Sequence, residues 1–170
     1  MSQSCGSCSG SKDGGQKTDT KLALQNELIS STLARIKYKL FVMSGKGGVG
    51  KSSVAVNIAA ALSVSGYKVG LMDVDIHGPS VPRLLGLRGQ LEVDRGSLIM
   101  PKRFSDTLHV VSMESLLLDP DQAVLWRGPM KTSAIRQFVS DVQWGDLDFL
   151  VVVWPPGTGV EPMTVLRTIP

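Results

Sequence analysis

The chain predicts an α/β fold: a mostly parallel sheet with flanking helices, incomplete at its C-terminal side. Three observations carry this. Strand-like apolar runs alternate with helix-like segments, which implies parallel strands joined by right-handed crossovers. The first such run, Leu40-Phe41-Val42-Met43, opens directly into Gly45-Lys46-Gly47-Gly48-Val49-Gly50-Lys51-Ser52. That loop satisfies G-x-x-x-x-G-K-S/T, the phosphate-binding pattern. The second run, Val69-Gly70-Leu71-Met72, ends in Asp73-Val74-Asp75, and open α/β sheets bind ligands at the C-terminal ends of their strands.

The elements follow in order. Residues 1–19 are rich in Ser, Gly, Lys and Gln and lack aliphatic side chains beyond Met1; such a tail buries too little apolar surface to offset chain entropy and is expected to be disordered. The remainder, 20–170, reads as the N-terminal portion of one domain. An amphipathic helix is expected from 19 or 20 to 37, with Leu24, Leu28, Leu33 and Ile36 near helical spacing. A strand over 38–44 leads into the loop, and a helix over about 51–65 follows, closed by Gly66 as its cap. A second strand spans about 67–73 and a short helix 79–85. Residues 86–107 read as loop with a hairpin-like piece at Ser97-Leu98-Ile99-Met100. A strand at 108–113, a helix at 130–142 and a strand at 149–153 complete the pattern. A helix over 161–168 and a strand beginning at Ile169-Pro170 are expected next. On this reading the chain is a fragment, poorly stable alone because one sheet edge lacks its neighbours.

Hydrophobic residues make up 42 % of the 170, enough for a core. No apolar run reaches the ~18 residues of a membrane span, and the N-terminus has no apolar segment of the secretory kind. The chain is therefore expected to be cytoplasmic, with no membrane partner. Eighteen basic against 15 acidic residues leave a net charge of +3. That mild excess implies no nucleic-acid partner, and Arg83, Arg88, Lys102 and Arg103 read as solvated surface charges.

The loop carries the chemistry. Its glycines let backbone approach phosphate. The first helical N–H groups after it lack partners and favour an anion, so Gly45 to Ser52 together with Ser53 form the candidate nucleotide cradle. Lys51 is placed to reach the outer phosphates and Ser52 to bind Mg²⁺. Asp73 and Asp75 lie two residues apart at a strand end and point to one side; one can hold Mg²⁺ through water and the other can orient an attacking water. Cys5 and Cys8, spaced C-x-x-C, are the only cysteines. They read as unstructured thiols, or as iron–sulfur or zinc ligands with a symmetric dimer supplying four. A redox disulfide has less support, because no thioredoxin-like context surrounds the pair.

With Lys46, the loop takes the deviant form G-K-G-G-x-G-K-S/T. It resembles a superclass of dimeric P-loop ATPases that includes the nitrogenase iron protein, MinD, ParA and the Mrp/ApbC iron–sulfur carriers. Further strings resemble the last of these: Asp73-Val74-Asp75-Ile76-His77-Gly78-Pro79-Ser80-Val81-Pro82, Trp126-Arg127-Gly128-Pro129-Met130, Trp144-Gly145 with Leu147-Asp148, and Pro155-Pro156-Gly157-Thr158-Gly159. The resemblance runs from about residue 20 to Pro170. It implies a P-loop NTPase fold of the deviant Walker A type, ATP and Mg²⁺ as ligands, and a homodimer with nucleotide at its interface. It implies a 4Fe-4S cluster as cargo, and iron–sulfur scaffold or recipient proteins as partners. Lys46 would act in trans on the partner's nucleotide, as an arginine finger does. Lys51 would stabilise charge and Asp75 would orient water. The family's bridging cluster is usually held by a C-x-x-C in the C-terminal part, and none occurs between residues 20 and 170, so Cys5 and Cys8 are not those usual ligands.

Two positions depart from the family pattern. Val153 stands where the third strand usually ends in an aspartate that helps hold the Mg²⁺ water shell, and Val160 stands where an acidic residue commonly follows Gly-Thr-Gly. Val153 either extends an apolar strand while Ser52, Asp73 and the phosphates still hold Mg²⁺, reflects an error or an engineered change in the sequence, one base from aspartate, or leaves a weakened or inactive ATPase. ATP binding is expected throughout; turnover is left open between an ATPase and a non-hydrolysing scaffold. A MinD/ParA-like positioning switch is the other class, disfavoured by the proline-rich strings.

Overall fold

A computed structural model describes residues 13–75, 78, 80–94, 98–116 and 128–157. Helix α1 (Asp13–Ala34) leads into strand β1 (Ile36–Val42), helix α2 (Lys51–Val64) and strand β2 (Val69–Asp73). A short helix α3 (Val81–Leu84) precedes the two-residue strands β3 (Glu92–Val93), β4 (Ile99–Met100) and β5 (Lys102–Arg103). Strand β6 (Leu108–Ser112), a 3₁₀ turn (Met113–Leu116), helix α4 (Gly128–Asp141) and strand β7 (Leu147–Val153) follow.

The main sheet has the order β1-β7-β2-β6-β5. Every pair is parallel except β5 with β6, so the mostly parallel sheet read from the sequence is present. Because β7 lies between β1 and β2, the chain leaves β1, crosses through α2 and skips one place before β2. The second strand thus sits beside the last one, and both reach the end of β1 where the loop begins.

Period-two alternation sorts the core. Val69 and Leu71 of β2 join Val151 and Val153 of β7 beneath Ala55 and Ala59 of α2, all fully buried. The intervening residues Met72, Leu150 and Val152 face the other way, against Ile29 and Leu33 of α1 and Phe138 and Val139 of α4. Burial on both faces explains why β2 and β7 read as continuous apolar runs. The two alanines let α2 lie close to the sheet.

Several boundaries shift from the sequence reading. Helix α1 starts at Asp13, inside the segment expected to be tail, and ends at Ala34. Ile36 is buried from the strand, and Ile29 and Leu33 turn to the core while Leu24 and Leu28 stay exposed. Helix α2 is closed by Ser65, with Gly66 one position beyond at φ +89°. Gly66 N–H donates to the Ser63 carbonyl and Tyr67 N–H to the Leu62 carbonyl, the paired bonds of a Schellman motif. Ser97 lies outside the described residues, but β4 does pair with β3, as the hairpin-like piece implied. Lys102 and Arg103 are not plain surface charges: they form the antiparallel edge strand β5. Lys102 donates to the carbonyls of Arg88 and Gly89, and Arg103 pairs with Asp106. No described helix is long and apolar enough to cross a membrane.

Candidate functional site: a phosphate cradle at the strand ends

The loop after β1 turns into α2 through Gly50, whose φ of +89° belongs to the left-handed region, as does Gly48 at +75°. Side chains resist that region, so glycine is required at both places. No side chain caps the N-terminus of α2; its first N–H groups therefore lack the oxygen that a serine or aspartate cap supplies elsewhere. A cavity of about 350 Å³ opens in front of them, lined by Gly47, Gly48, Gly50, Lys51, Ser52 and Ser53 from the loop and helix. Asp75, Gly78 and Ser80 close it from the β2 side, with Ser44 and Pro156 completing the wall.

Seven of the predicted site residues thus meet around one cavity. Gly45, Lys46 and Val49 do not line it; Lys46 is exposed and Val49 half exposed. Lys51 Nζ lies 3.0 Å from Asp75 Oδ2, with both side chains nearly buried.

Asp73 takes a supporting place. It is fully buried, and its Oδ1 accepts the Asp75 N–H at 3.1 Å while its Oδ2 accepts the Val81 N–H at 3.3 Å. These bonds tie the segment after β2 to the strand end and aim Asp75 at the cavity. Burial pushes the Asp73 carboxyl up to about 6, against the pull of those two N–H groups; the Asp75 charge raises it a little further and Lys51 lowers it. Val153 is its Cα partner across the β2–β7 ladder and is fully buried. An apolar side chain therefore sits beside Asp73 where the sequence comparison anticipated a second carboxylate.

Uncapped helix N–H groups, Cβ-free glycines and a lysine suit a polyphosphate. The Ser52 hydroxyl on the cavity wall is a hard oxygen of the kind Mg²⁺ accepts beside phosphate, whereas Asp73 does not line the cavity and would reach such an ion only through water. Ser44, Gly78, Ser80 and Pro156 were not singled out from the sequence as cradle residues. Three of them lie inside the quoted strings, whereas Ser44 gave no signal beyond adjacency to the loop. Cys5, Cys8, Val160, the Trp126-Arg127 pair and the expected C-terminal helix and strand all lie outside the described residues. Among the described residues, no group of three or more His, Cys, Asp or Glu is arranged to hold a metal ion.

Comparisons with known proteins agree with this fold. The family described as "ParA: NUBPL iron-transfer P-loop NTPase" matches residues 35–170. The chain is 47 % identical over 154 residues to an iron-sulfur cluster carrier protein of Methanocaldococcus jannaschii, covering 89 % of this chain and 53 % of that protein. It is 47 % identical over 139 residues to the human cytosolic Fe-S cluster assembly factor NUBP2, covering 81 % and 51 %. Among solved structures, a nucleotide-binding protein from Archaeoglobus fulgidus in complex with ADP aligns at TM-score 0.72 and 38 % identity, over 85 % of this chain and 55 % of that one. A Pyrococcus furiosus cell-division ATPase MinD shares the fold at TM-score 0.52 and 22 % identity, over 77 % of this chain and 55 % of that one. The chain spans about half the length of the curated relatives it matches. With a matched family region that begins just before β1 and includes the whole phosphate cradle, the chain belongs to the ParA family of NUBPL-type iron-transfer P-loop NTPases.

Proposed function

We propose that the chain is the nucleotide-binding part of an iron–sulfur cluster carrier, in which bound ATP gates the uptake or release of a 4Fe-4S cargo. One observation carries the nucleotide reading: the uncapped N-terminus of α2 faces a cavity walled by three glycines of the loop, Lys51 and Ser52. The cargo reading is supported by relatives named as cluster carriers and assembly factors, one of them named as cytosolic, which favours a cytoplasmic setting here.

The roles follow from placement. Backbone N–H groups of the loop and of the first turn of α2 hold the phosphates, and Gly48 and Gly50 keep that approach open. Lys51 supplies a positive charge at the outer phosphates, with Asp75 across the cavity to accept a hydrogen bond from an attacking water. Ser52 would bind Mg²⁺, which when present neutralises charge on the phosphate oxygens. Asp73 holds Asp75 in position through its N–H and would reach Mg²⁺ only through water. Lys46, exposed on the loop and off the cavity wall, is suited to act on the nucleotide of a second copy in a homodimer. Iron–sulfur scaffold and recipient proteins are the partners this function requires.

A second reading has its own observation. Val153 leaves the strand end beside Asp73 without a second carboxylate, which favours a nucleotide-binding scaffold that turns over slowly or not at all.

The test is fluorescence titration with an ATP analogue in Mg²⁺, alongside a Lys51→Ala variant and light scattering. Tight binding by the parent, loss in the variant and nucleotide-dependent dimerisation support the reading. No binding by the parent removes it. Cluster transfer from a reconstituted donor, compared with and without ATP, tests the cargo separately.

A further inference from the structure

Ser44 sits between the end of β1 and the first glycine of the loop. Among the described residues, its hydroxyl is the buried side-chain polar atom that finds no hydrogen-bond partner, and Ser44 lines the cavity. A buried hydroxyl without a partner is disfavoured in folded proteins and calls for a reason. Here the backbone leaves it little room to escape. The Ser44 carbonyl accepts the Gly157 N–H at 3.0 Å, and two residues earlier the Val42 carbonyl accepts the Trp154 N–H at 3.0 Å. The exit of β1 is thus laced to the exit of β7, and Ser44 is held against the cavity wall.

The position also says which part of a ligand it meets. The inner phosphates of a nucleotide belong over the N-terminus of α2, where the N–H groups converge. Ser44 and Pro156 line the same cavity from the bonded exits of β1 and β7, and Asp75 lines it from the exit of β2; the outermost phosphate must lie by these strand ends if Asp75 is to orient a water toward it. We propose that Ser44 is a further nucleotide-binding residue, whose hydroxyl donates to an oxygen of the terminal phosphate and so distinguishes a triphosphate from a diphosphate. This rests on the nucleotide-binding reading above. It adds a chemical reason for a response to hydrolysis: losing the terminal phosphate returns the hydroxyl to its unpartnered state beside the Gly157 turn.

The experiment is equilibrium binding of AMP-PNP and of ADP, each with Mg²⁺, to the full 170-residue chain and to Ser44→Ala, with thermal melts of both proteins without nucleotide. A hydrogen bond to a charged oxygen predicts a loss of about tenfold or more for AMP-PNP, with ADP affinity unchanged and the nucleotide-free melt no lower than the parent's. Unchanged AMP-PNP affinity overturns the proposal. An equal loss for both nucleotides also overturns it, because the hydroxyl would then serve an inner phosphate. So does a variant that melts well below the parent, which would give the hydroxyl a structural role. If the parent binds neither nucleotide, the underlying reading falls with it, and that outcome is distinct from the other three.

Discussion

The Lys51 ammonium and the Asp75 carboxylate form an ion pair at 3.0 Å across the cavity, with the two side chains only 7 % and 9 % exposed. The cation suited to phosphate is therefore already engaged by the carboxylate suited to water. A nucleotide has to draw Lys51 toward its phosphates and bring its own negative charge up to Asp75. Substituting Asp75→Asn keeps the shape and removes the competing charge. Hydrogen bonds to charged groups are worth about 1.5–3 kcal/mol, so ADP and AMP-PNP are expected to bind about tenfold tighter to the variant. Any hydrolysis should fall at the same time, because the amide is a poor acceptor for an attacking water. Calorimetric titration checks the first part and phosphate release the second. Equal affinities would show that the pair does not oppose nucleotide.

Asp73 gives the protein a pH dependence of unusual sign for a carboxylate. Its pKa is raised from 3.8 to about 6, chiefly by burial. Between those values the folded chain binds a proton that the unfolded chain releases, so this group's contribution to stability falls as pH rises through about 4 to 6 and is level above that. The full difference is on the order of 3 kcal/mol. An Asp73→Asn variant lacks the term. Its stability relative to the parent should rise with pH across that window and plateau above about pH 7, as read from urea midpoints at half-unit steps. Asp146 and Asp148 are lowered by hydrogen bonds to Arg35 and Lys37. Their contribution runs the other way, at pH below about 4, and cancels in the difference between variant and parent. A flat difference would mean that Asp73 titrates normally.

The cradle was legible because its requirements are local. Left-handed turns demand Gly48 and Gly50, a helix start demands the residues after Lys51, and the spacing between them is fixed within one loop. The parity of β2 and β7 was legible for a similar reason, since Val69, Leu71, Val151 and Val153 face α2 through strict alternation. The strand order was not. Nothing within β7 states that it inserts between β1 and β2; that follows from the long-range register Tyr38 with Phe149 and Val69 with Phe149. Strand β5 was missed because two adjacent charges carry no apolar period, and antiparallel pairing with β6 overrides their poor strand propensity. The missing partner of Ser44 was invisible too, since satisfaction of a hydroxyl depends on everything folded around it.

Gly70 tests the register of that sheet. A Cβ added there would meet Leu147 Cδ1 at 2.7 Å and the Trp144 ring at 2.9 Å. Trp144 is itself buried, with its indole N–H donating to the Phe138 carbonyl at 3.3 Å, so the ring cannot swing away without giving up that bond. Gly70→Ala should therefore cost about 1–3 kcal/mol as overpacking, although alanine is harmless to an isolated strand. Nucleotide affinity should hardly change, because Gly70 lies three residues before the strand end and off the cavity wall. A denaturation midpoint equal to the parent's would mean that the tryptophan does not pack over this strand.

Val153 decides between the hydrolytic and scaffold readings. It is fully buried, paired in register with Val42 on one side and Asp73 on the other, and it belongs to the cluster beneath α2. Val153→Asp would set a second carboxylate beside one that burial already holds near 6. Without a cation that variant should be less stable by several kcal/mol, because a buried charge has lost water and gained a like neighbour. With Mg²⁺ and AMP-PNP the two carboxylates gain a counter-charge through its water shell, and much of the loss should be recovered. One charge-assisted hydrogen bond of about 1.5–3 kcal/mol corresponds to roughly ten- to a hundredfold in Mg²⁺ affinity. The variant should therefore need correspondingly less Mg²⁺ for half-maximal activity and turn over faster at limiting Mg²⁺. Melting curves with EDTA against Mg²⁺–AMP-PNP read the stability, and phosphate release against Mg²⁺ concentration reads the chemistry. If parent and variant turn over equally at every Mg²⁺ concentration, a carboxylate at this strand end is unnecessary, and Ser52, Asp73 and the phosphates are enough. If only the variant turns over, the parent chain is built to hold nucleotide rather than to consume it.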